Sequence, residues 1–469
     1  MLRDDSMSPR QTLQVKGSLP LKRFKAIGRI AQAFVILEHR SGKNKELTKD
    51  RPPAQAQDCP IVEDQRQRKR ASFSYAEEAF RGVPLLTEHA LCNDLDYEAG
   101  KLRRPWRDPV PSDDDYSMSI KVTKVDSFIS HTWSRDRRDP MFTSNDEYES
   151  YKASELHGAL VDLLAVQGKG SDSGKEHPVL VWVDKCCLPS DPTKRRSVVE
   201  KHFEHIIKNS DRLLVLASTS YFTRLWCVYE WGLFVVTHRN CCKAIKVCLA
   251  WLCRSENFQI PRMVHDIKCL SVKLLKCTES QDKEFITTSI KTRFNEVFLF
   301  EHMVKVSAIC AMVMECTVLA LEFDTPEFTD VEQAQLYLKQ HLQWGKDKFE
   351  KPWADLAGKL GMSEVERGIA KFWDGVEMSL KFQVEVMKSS RGSMISLPLR
   401  PKLLSLVSMA ADTHLFPLVM EARNAAMLSE DLEHDMLSAA CVREGSFSSP
   451  YNPRRSSSVS SVGSWLEWS

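Results

Sequence analysis

The sequence predicts an α/β protein whose central domain contains a doubly wound parallel sheet. Between residues 118 and 300, short apolar runs alternate with longer segments of helical periodicity. The central runs are apolar at nearly every position, as strands must be when helices cover both faces of a parallel sheet. Crossover helices between such strands produce a doubly wound architecture. The predicted strands are Val125–Ser130, Val179–Asp184, Leu213–Ala217, Ala244–Trp251 and Ile267–Leu275.

Helices are predicted between these strands. Ser144 with Glu147 forms one capping box, and Ser197 with Glu200 forms another, so a helix is expected to begin at each serine. The last strand alternates apolar and polar residues, which is typical of a half-exposed edge. Further helices are predicted after Tyr221 and over Lys283–Phe298.

The flanking regions differ from this central part. Residues 1–117 lack sustained periodicity, which indicates a mostly disordered arm, with short amphipathic helices predicted at Leu21–Leu37 and Tyr75–Leu91. Residues 301–444 show helical spacing and no strand pattern. The serine-rich tail, 445–469, is expected to be disordered.

Charge and cysteine usage limit the class of protein. The 65 Lys and Arg residues nearly balance 63 Asp and Glu residues, so overall charge gives no reason to expect nucleic acid as a partner. The fourteen cysteines are often adjacent or within apolar runs, unlike the spaced cysteines of secreted disulfide scaffolds. These features predict a reduced, cytoplasmic protein.

The sequence shows neither a targeting segment nor a membrane span. The N-terminus has no apolar core of a signal peptide. The most apolar run, Val306–Leu321, falls short of the roughly 20 residues that span a bilayer and contains Glu315. No membrane span is therefore expected. The basic cluster Arg66–Arg70 leaves a nuclear location open, although solvated basic runs are common in disordered segments.

The strand ends predict a ligand site. If the strand order is 2-1-3-4-5, the topological switch point lies between strands one and three, where open α/β sheets bind ligands. Two segments meet there, Ser130–Arg135 after the first strand and Ser218–Tyr221 after the third, together with the helix that carries Trp226 and Glu230. The candidate site residues are Ser130, His131, Trp133, Arg135, Tyr221, Trp226 and Glu230, with Asp184 after the second strand.

Glu230 is the candidate catalytic residue. Trp226 lies four residues before it, which places both on one face of a helix. A carboxyl group beside an indole is partly desolvated, and desolvation raises its pKa. Such a group stabilises a developing positive charge or activates water, and both tasks arise when a glycosidic bond breaks.

Several motifs in this region resemble the Toll/interleukin-1 receptor (TIR) domain family. Phe128-Ile129-Ser130-His131 resembles the family's first strand, and Asp184 followed by Leu188 is similar to the segment entering its BB loop. The block ending in Trp226-Cys227-x-x-Glu230 resembles the corresponding block of plant and NAD-cleaving members. One departure is Pro189, where many members have a glycine soon after the leucine; a stiffer loop is expected.

The resemblance implies a flavodoxin-like five-stranded parallel sheet of order 2-1-3-4-5 and an intracellular signalling protein that self-associates, with other TIR domains as further partners. It also implies hydrolysis of NAD+ at the nicotinamide–ribose bond on assembly, with NAD+ as substrate and no cofactor. Glu230 would act on the ribose, Ser130, Trp133 and Arg135 would hold the ribose or phosphates, and Asp184 would order its loop.

Alternatives remain open at the level of the whole protein. One is a non-catalytic adaptor or scaffold acting through TIR–TIR contacts, and another is a small-molecule sensor. A third is an unrelated hydrolase with Cys227 as nucleophile and His131 as base. The loop 168–176 lacks the spacing of a phosphate-binding loop, and no short CxxC pairs indicate a metal site.

Alternatives also remain for single residues. Glu230 has the competing interpretation of a helix-surface residue paired with Arg224 or His131, and Trp226 that of a core residue. Trp133 follows a strand, where ligand stacking and packing are equally good explanations. Arg135 either meets a pyrophosphate or belongs to a solvated basic loop. Cysteines such as Cys241 and Cys242 are interpreted as core thiols.

Overall fold

A computed structural model describes residues 80–85, 111–133, 144–167, 178–238, 240–249, 252–253, 259–322, 331–389 and 399–427. The predicted helix Leu21–Leu37, the basic cluster Arg66–Arg70, Arg135 and the serine-rich tail lie outside these residues. Within them the chain is an α/β protein built on a six-stranded mixed sheet.

The sheet has the order β2-β1-β4-β3-β5-β6. Strands β3 to β6 are parallel, whereas β1 runs antiparallel to both of its neighbours. The strands are β1 (Arg81–Leu85), β2 (Ile120–Lys121), β3 (Ser127–His131), β4 (Val179–Trp182), β5 (Leu213–Leu216) and β6 (Ile245–Cys248).

The described helices follow the chain in this order: α1 (Asp113–Ser117), α2 (Asn145–Gln167), α3 (Asp184–Cys187), α4 (Pro192–Lys208), α5 (Leu225–Thr237), α6 (Cys241–Ala244), α7 (Ile260–Lys268), α8 (Ser280–Arg293), α9 (Val297–Glu322), α10 (Val331–Gly345), α11 (Lys351–Lys359), α12 (Ser363–Ser389), α13 (Leu399–His414) and α14 (Phe416–Ala426). A 3₁₀ turn at Tyr221–Thr223 precedes α5, and a π-helical turn at Lys346–Glu350 joins α10 to α11.

The four parallel strands confirm the predicted order of the first four strands. The first strand, β3, lies between the second (β4) and the third (β5), and β6 follows β5. Because the chain first moves to one side of β3 and then returns to the other, the carboxyl ends of β3 and β5 flank the switch point. Nearly every residue of these strands is buried, as expected for a parallel sheet that helices cover on both faces.

The prediction of a fifth parallel strand at Ile267–Leu275 is wrong. Helix α7 continues to Lys268, and Val272–Leu274 form a turn. The apolar residues of this segment do not belong to a strand. Leu270, Val272 and Leu275 are buried although the backbone is irregular, whereas Leu274 is exposed. The Glu301 carboxylate accepts hydrogen bonds from Val272 N at 2.7 Å and Ser271 Oγ at 3.1 Å, which satisfies this backbone without a strand partner.

The opposite edge of the sheet contains the unpredicted antiparallel strands β1 and β2. The prediction of a helix at Tyr75–Leu91 is wrong for the centre of that range, because Arg81–Leu85 forms strand β1 and pairs with β4. Strand β2 pairs only with Arg81 and Gly82 of β1, so Pro84 has a strand neighbour on one side only, namely β4. A proline is tolerated at such an edge position. Gly82 is needed at this position since a Cβ would lie 2.9 Å from Cγ1 of Val125.

Helix α5 forms the centre of the structure. Its sequence, LWCVYEWGLFVVT, is apolar around the whole helix, as expected for a helix enclosed on every side. On one side it packs on the sheet, and on another it contacts α9 through Trp231, whose Nε1 donates to Ser307 Oγ at 2.9 Å. Glu230 is the only charged residue of α5.

The described part of the chain after residue 300 is helical and shares the core of the sheet region. One helix among the described residues, Val297–Leu321, is long and apolar enough to cross a membrane, but 83% of its apolar window is buried inside the protein. Lys246 Nζ of β6 donates to Glu315 Oε2 of this helix at 3.0 Å. A core helix therefore accounts for this apolar run.

Candidate functional site

A polar cluster lies at the carboxyl ends of β3, β4 and β5. It is built from the consecutive residues Ser130 and His131 of β3, from Asp184 after β4 and from Ser218 after β5. Helix α2 adds Lys152, and helix α5 adds Glu230. In a parallel sheet these strand ends converge at one edge, which brings together residues separated by up to a hundred positions in sequence.

Glu230 reaches the end of β3 directly. The hydroxyl of Ser130 donates to Glu230 Oε2 at 2.5 Å, and Ser130 Oγ also lies 2.6 Å from the hydroxyl of Tyr221. Tyr221 in turn donates to the carbonyl of Cys227 at 3.4 Å. Three of the predicted site residues therefore form one hydrogen-bonded chain on the face of the sheet that α5 covers.

The surroundings favour the protonated form of this carboxyl group. Burial raises the pKa of Glu230 well above its usual value of 4.5, and the negative charge of Asp184 adds to the effect. The hydrogen bond from Ser130 opposes the shift, because it stabilises the carboxylate. Burial likewise raises the pKa of Tyr221, so its phenol stays protonated and available as a donor.

His131, Asp184 and Trp133 form a second chain. His131 Nε2 lies 3.3 Å from Asp184 Oδ1, and the indole Nε1 of Trp133 donates to Asp184 Oδ2 at 2.7 Å. The two rings pack edge to face, with centroids 4.7 Å apart. The Asp184 side chain is 26% exposed, so its carboxylate connects the buried histidine to solvent.

Lys152 anchors the loop that leaves β3. Its Nζ donates to the carbonyl of Thr132 at 2.5 Å, lies 3.4 Å from His131 Nδ1, and is 4.4 Å from the centre of the Tyr148 ring. Burial lowers the pKa of this amine to about 7. Burial, followed by the charge of Lys152, also lowers the pKa of His131. A neutral His131 imidazole can therefore donate from Nε2 to Asp184 and accept from Lys152 at Nδ1.

Trp226 occupies a different environment from the one expected. Its ring packs on Phe203 of α4, with centroids 5.4 Å apart, and its Nε1 donates to Asp282 of α8 at 3.0 Å. The expected crevice shared by Trp226 and Glu230 is therefore not what desolvates the carboxyl group. Desolvation comes instead from the packing of α5 in the core: ten of its thirteen residues are buried, and the partly exposed Glu230 lies between the buried residues Tyr229 and Trp231.

Cys227 has an arrangement that counts against thiol chemistry. Its Sγ donates to the main-chain carbonyl of His131 at 3.3 Å. Burial, together with the charge of Glu230, raises the pKa of this thiol well above its ordinary value. A thiol held protonated is a poor nucleophile, so the Cys–His hydrolase alternative loses support.

Arg224, considered as a partner of Glu230, donates instead to Thr278 Oγ1 at 3.2 Å.

Sequence reasoning missed Lys152, whereas Thr132 and Ser218 lie in the two segments expected at the switch point. Thr132 Oγ1 lies 2.9 Å from Ser218 Oγ and 2.6 Å from the Tyr148 hydroxyl, which ties the ends of β3 and β5 together. One signal was available: Lys152 lies four residues after Tyr148, on the buried stripe of α2. A lysine on such a stripe is rarely buried unless it has partners.

Other candidate binding features are separate from this cluster. In the described ranges no group of three or more His, Cys, Asp or Glu residues has an arrangement that could hold a metal ion. A groove of about 330 Å³ lies between α4 and α8, and its lining includes Arg196, Phe285 and Thr288. None of its lining residues belongs to the strand-end cluster.

Three comparisons with known proteins, against family models, curated proteins and solved structures, each gave no match.

Proposed function

We propose that this chain is a TIR-type signalling protein that hydrolyses NAD+ at the nicotinamide–ribose bond, with Glu230 as the catalytic residue. The observation that carries the proposal is the 2.5 Å contact between Glu230 Oε2 and Ser130 Oγ at the carboxyl end of β3. A carboxyl group is held there at the switch point, where open α/β sheets bind ligands. The flavodoxin-like assignment is part of the proposal, supported by the order of the parallel strands.

The charge requirements of the reaction match this carboxyl group. Nicotinamide leaves NAD+ as a neutral molecule with the bonding electron pair, and the positive charge passes to the ribose as an oxocarbenium-like centre. Water then adds to that carbon and releases a proton, giving ADP-ribose. An ionised Glu230 next to the ribose would stabilise the cationic centre, and burial would strengthen this interaction.

The raised pKa of Glu230 is consistent with this role because the substrate is itself a cation at the nicotinamide ring. A positive charge near a carboxyl group favours the carboxylate. NAD+ binding would therefore promote ionisation of Glu230 at the site where the negative charge is needed. Ser130 and Tyr221 would offer hydroxyl groups to the ribose, and Asp184 would hold Trp133 in the loop beside it.

The test is release of nicotinamide from NAD+ by the purified 469-residue chain, measured over a range of protein concentrations with and without a crowding agent. Glu230→Gln should abolish turnover, whereas Glu279→Gln, an exposed glutamate at the start of α8, should leave it unchanged. Turnover that survives Glu230→Gln would remove the catalytic assignment. Absence of turnover under every condition would favour the adaptor function instead.

A further inference from the structure

Lys152 is a buried charged residue that the proposed reaction does not use. It lies in the first half of α2, and only 2% of its surface is exposed. Burying an ammonium group is costly unless polar partners replace its water, and a lysine is rarely enclosed to this degree without them. The partners of Lys152 therefore indicate what its burial achieves.

The partners of Lys152 include three successive residues at the end of β3. Its Nζ donates to the Thr132 carbonyl at 2.5 Å and lies 3.5 Å from the Trp133 carbonyl and 3.4 Å from His131 Nδ1. An ammonium group has three N–H donors, so this short segment alone can occupy all of them. The Tyr148 hydroxyl, one turn earlier on α2, donates to the same Thr132 carbonyl at 3.2 Å. Helix α2 thus fixes the main chain at the point where the Trp133 side chain begins.

The side chain of Trp133 is fixed separately from its main chain. Its Nε1 donates to Asp184 Oδ2 at 2.7 Å, and its ring packs edge to face on His131 with centroids 4.7 Å apart. The residue is nevertheless partly exposed. An indole whose N–H edge is bound to a carboxylate can still stack through its flat faces. Trp133 is therefore oriented at the switch point without being fully enclosed there.

A planar cation is the kind of ligand that suits such an indole. The face of an aromatic ring is negative, so it attracts cations and stacks on flat rings. The nicotinamide ring of NAD+ has both properties, because it is a planar pyridinium. The attraction depends on where the indole lies, since the cation must be within about 6 Å of the ring centre. A small movement of the Trp133 main chain would weaken it.

We propose that Lys152 is a positioning residue for Trp133: it holds the main chain after β3 so that the indole can stack on the nicotinamide ring. Asp184 holds the other end of the residue, through the indole N–H. Lys152 does not touch the substrate in this arrangement, because it is buried and its Nζ faces the main chain. The identity of the ligand rests on the proposed function, whereas the contacts that hold the loop do not.

The kinetic constants of NAD+ hydrolysis should respond unequally to loss of this lysine. The pyridinium is charged in bound NAD+ but becomes neutral as nicotinamide leaves, so its attraction to Trp133 is strongest before the bond breaks. Such an interaction contributes to substrate binding more than to the chemical step. Lys152→Met should therefore raise KM by about tenfold, the size of a partly desolvated cation–π contact, and change kcat much less. Lys121→Met, which alters an exposed lysine in β2, should change neither.

Binding is measured without turnover by fluorine NMR of the 469-residue chain labelled with 5-fluorotryptophan, with Trp133→Phe identifying the Trp133 signal. The probe is the 1-methylnicotinamide cation, which has the pyridinium ring but no glycosidic bond. Titration should shift the Trp133 signal, and Lys152→Met should weaken that binding by about tenfold. Without the probe, the Trp133 signal of this variant should move or broaden, whereas that of Trp182, buried in β4, should not. A general loss of structure would change both signals.

Tyr148→Phe is the second variant, which keeps the test valid if Lys152→Met does not fold. It removes the other donor to the Thr132 carbonyl and keeps the ring, so the same changes are expected at smaller size. The proposal is overturned if the Trp133 signal and the probe affinity are unchanged in Lys152→Met, or in Tyr148→Phe where that variant alone folds. A titration that leaves the wild-type Trp133 signal in place overturns it as well. Probe binding at Trp133 without nicotinamide release from NAD+ would support the positioning role and count against NAD+ hydrolysis, whereas release without a Trp133 shift would do the reverse.

Discussion

Ser130 and His131 are consecutive residues of β3, yet their side chains belong to opposite faces of the sheet. Ser130 binds Glu230 on the face covered by α5, whereas His131 contacts Lys152 of α2 on the other face. This follows from the alternation of side chains along a strand. The site therefore contains two groups of titratable residues, which meet only at the strand end, near Asp184.

Activity should depend on the ionisation of Glu230. Since burial raises the pKa of this carboxyl group, the proposed carboxylate is scarce at acidic pH and becomes more abundant as pH rises through that pKa. We expect the rate of nicotinamide release at low NAD+ to rise with pH and then level off. The measurement is kcat/KM against pH for the full chain. A rate that falls over the same range would contradict ionised Glu230 as the active form.

Stability should show the opposite dependence on pH. A carboxyl group with a raised pKa in the folded state stays protonated there, while the unfolded chain releases the proton near pH 4.5. The unfolded state then binds fewer protons, so the free energy of unfolding falls as pH rises above 4.5 towards the folded pKa. Denaturant unfolding of wild type and Glu230→Gln should therefore diverge with pH, the variant losing less. Parallel curves would show an unshifted pKa.

Lys152 should have the reverse effect at higher pH. Its amine is neutral above about pH 7 in the folded chain, but the unfolded chain keeps the proton up to about 10.5. The unfolded state binds more protons in this window, so this residue increases the free energy of unfolding as pH rises from 7 to 10.5. Lys152→Met should lack that increase. The comparison is urea unfolding at several pH values, with exposed Lys121→Met as control.

Gly232 permits close packing of α5 on α9. A Cβ at this position would lie 2.8 Å from Cζ of Phe300, so Gly232→Ala should destabilise the fold by about 1–3 kcal/mol through overpacking. Gly158 of α2 has open space around its Cα, so Gly158→Ala should instead stabilise by up to about 1 kcal/mol through helix propensity. Chemical denaturation measures both. Equal effects of the two changes would be inconsistent with the packing.

A buried ion pair holds α1 against the segment after β4. Lys185 Nζ lies 3.5 Å from Asp115 Oδ2, and both side chains are under 10% exposed. Lys185→Met removes the buried cation beside this carboxylate, so the loss should be about 3 kcal/mol. Lys124→Met breaks an exposed pair with Asp211 and should cost under about 1 kcal/mol. Similar losses would show that burial is unimportant here.

The central strands could be predicted because each is an apolar run with a helical pattern on either side. Strand β1 could not, since RGVPL is short and contains both glycine and proline, and its pairing depends on β4 nearly a hundred residues later. The false strand at Ile267–Leu275 shows that alternation alone does not distinguish an edge strand from a buried turn.

The candidate site, too, could be predicted from the sequence only in part. The approach of Glu230 to Ser130 follows from the rule for strand ends, which depends only on strand order. The role of Lys152 does not, because its shortest contact is the main-chain carbonyl of Thr132, whose position is set by the folded loop. Helical spacing predicted that Trp226 and Glu230 share a face of the helix. Spacing does not predict which residues pack on that face, and the Trp226 ring packs on Phe203.

The antiparallel strand β1 decides where the protein can be shortened. A fragment beginning at residue 118 would keep the parallel strands but lose Phe80, which is 1% exposed, and the strand that follows it. The main-chain groups of Val179–Val181 that pair with β1 would then face water, and such an open edge recruits strands from other molecules. Self-association of that fragment would report on the cut edge rather than on signalling, and deletions from the N-terminus should stop before Phe80.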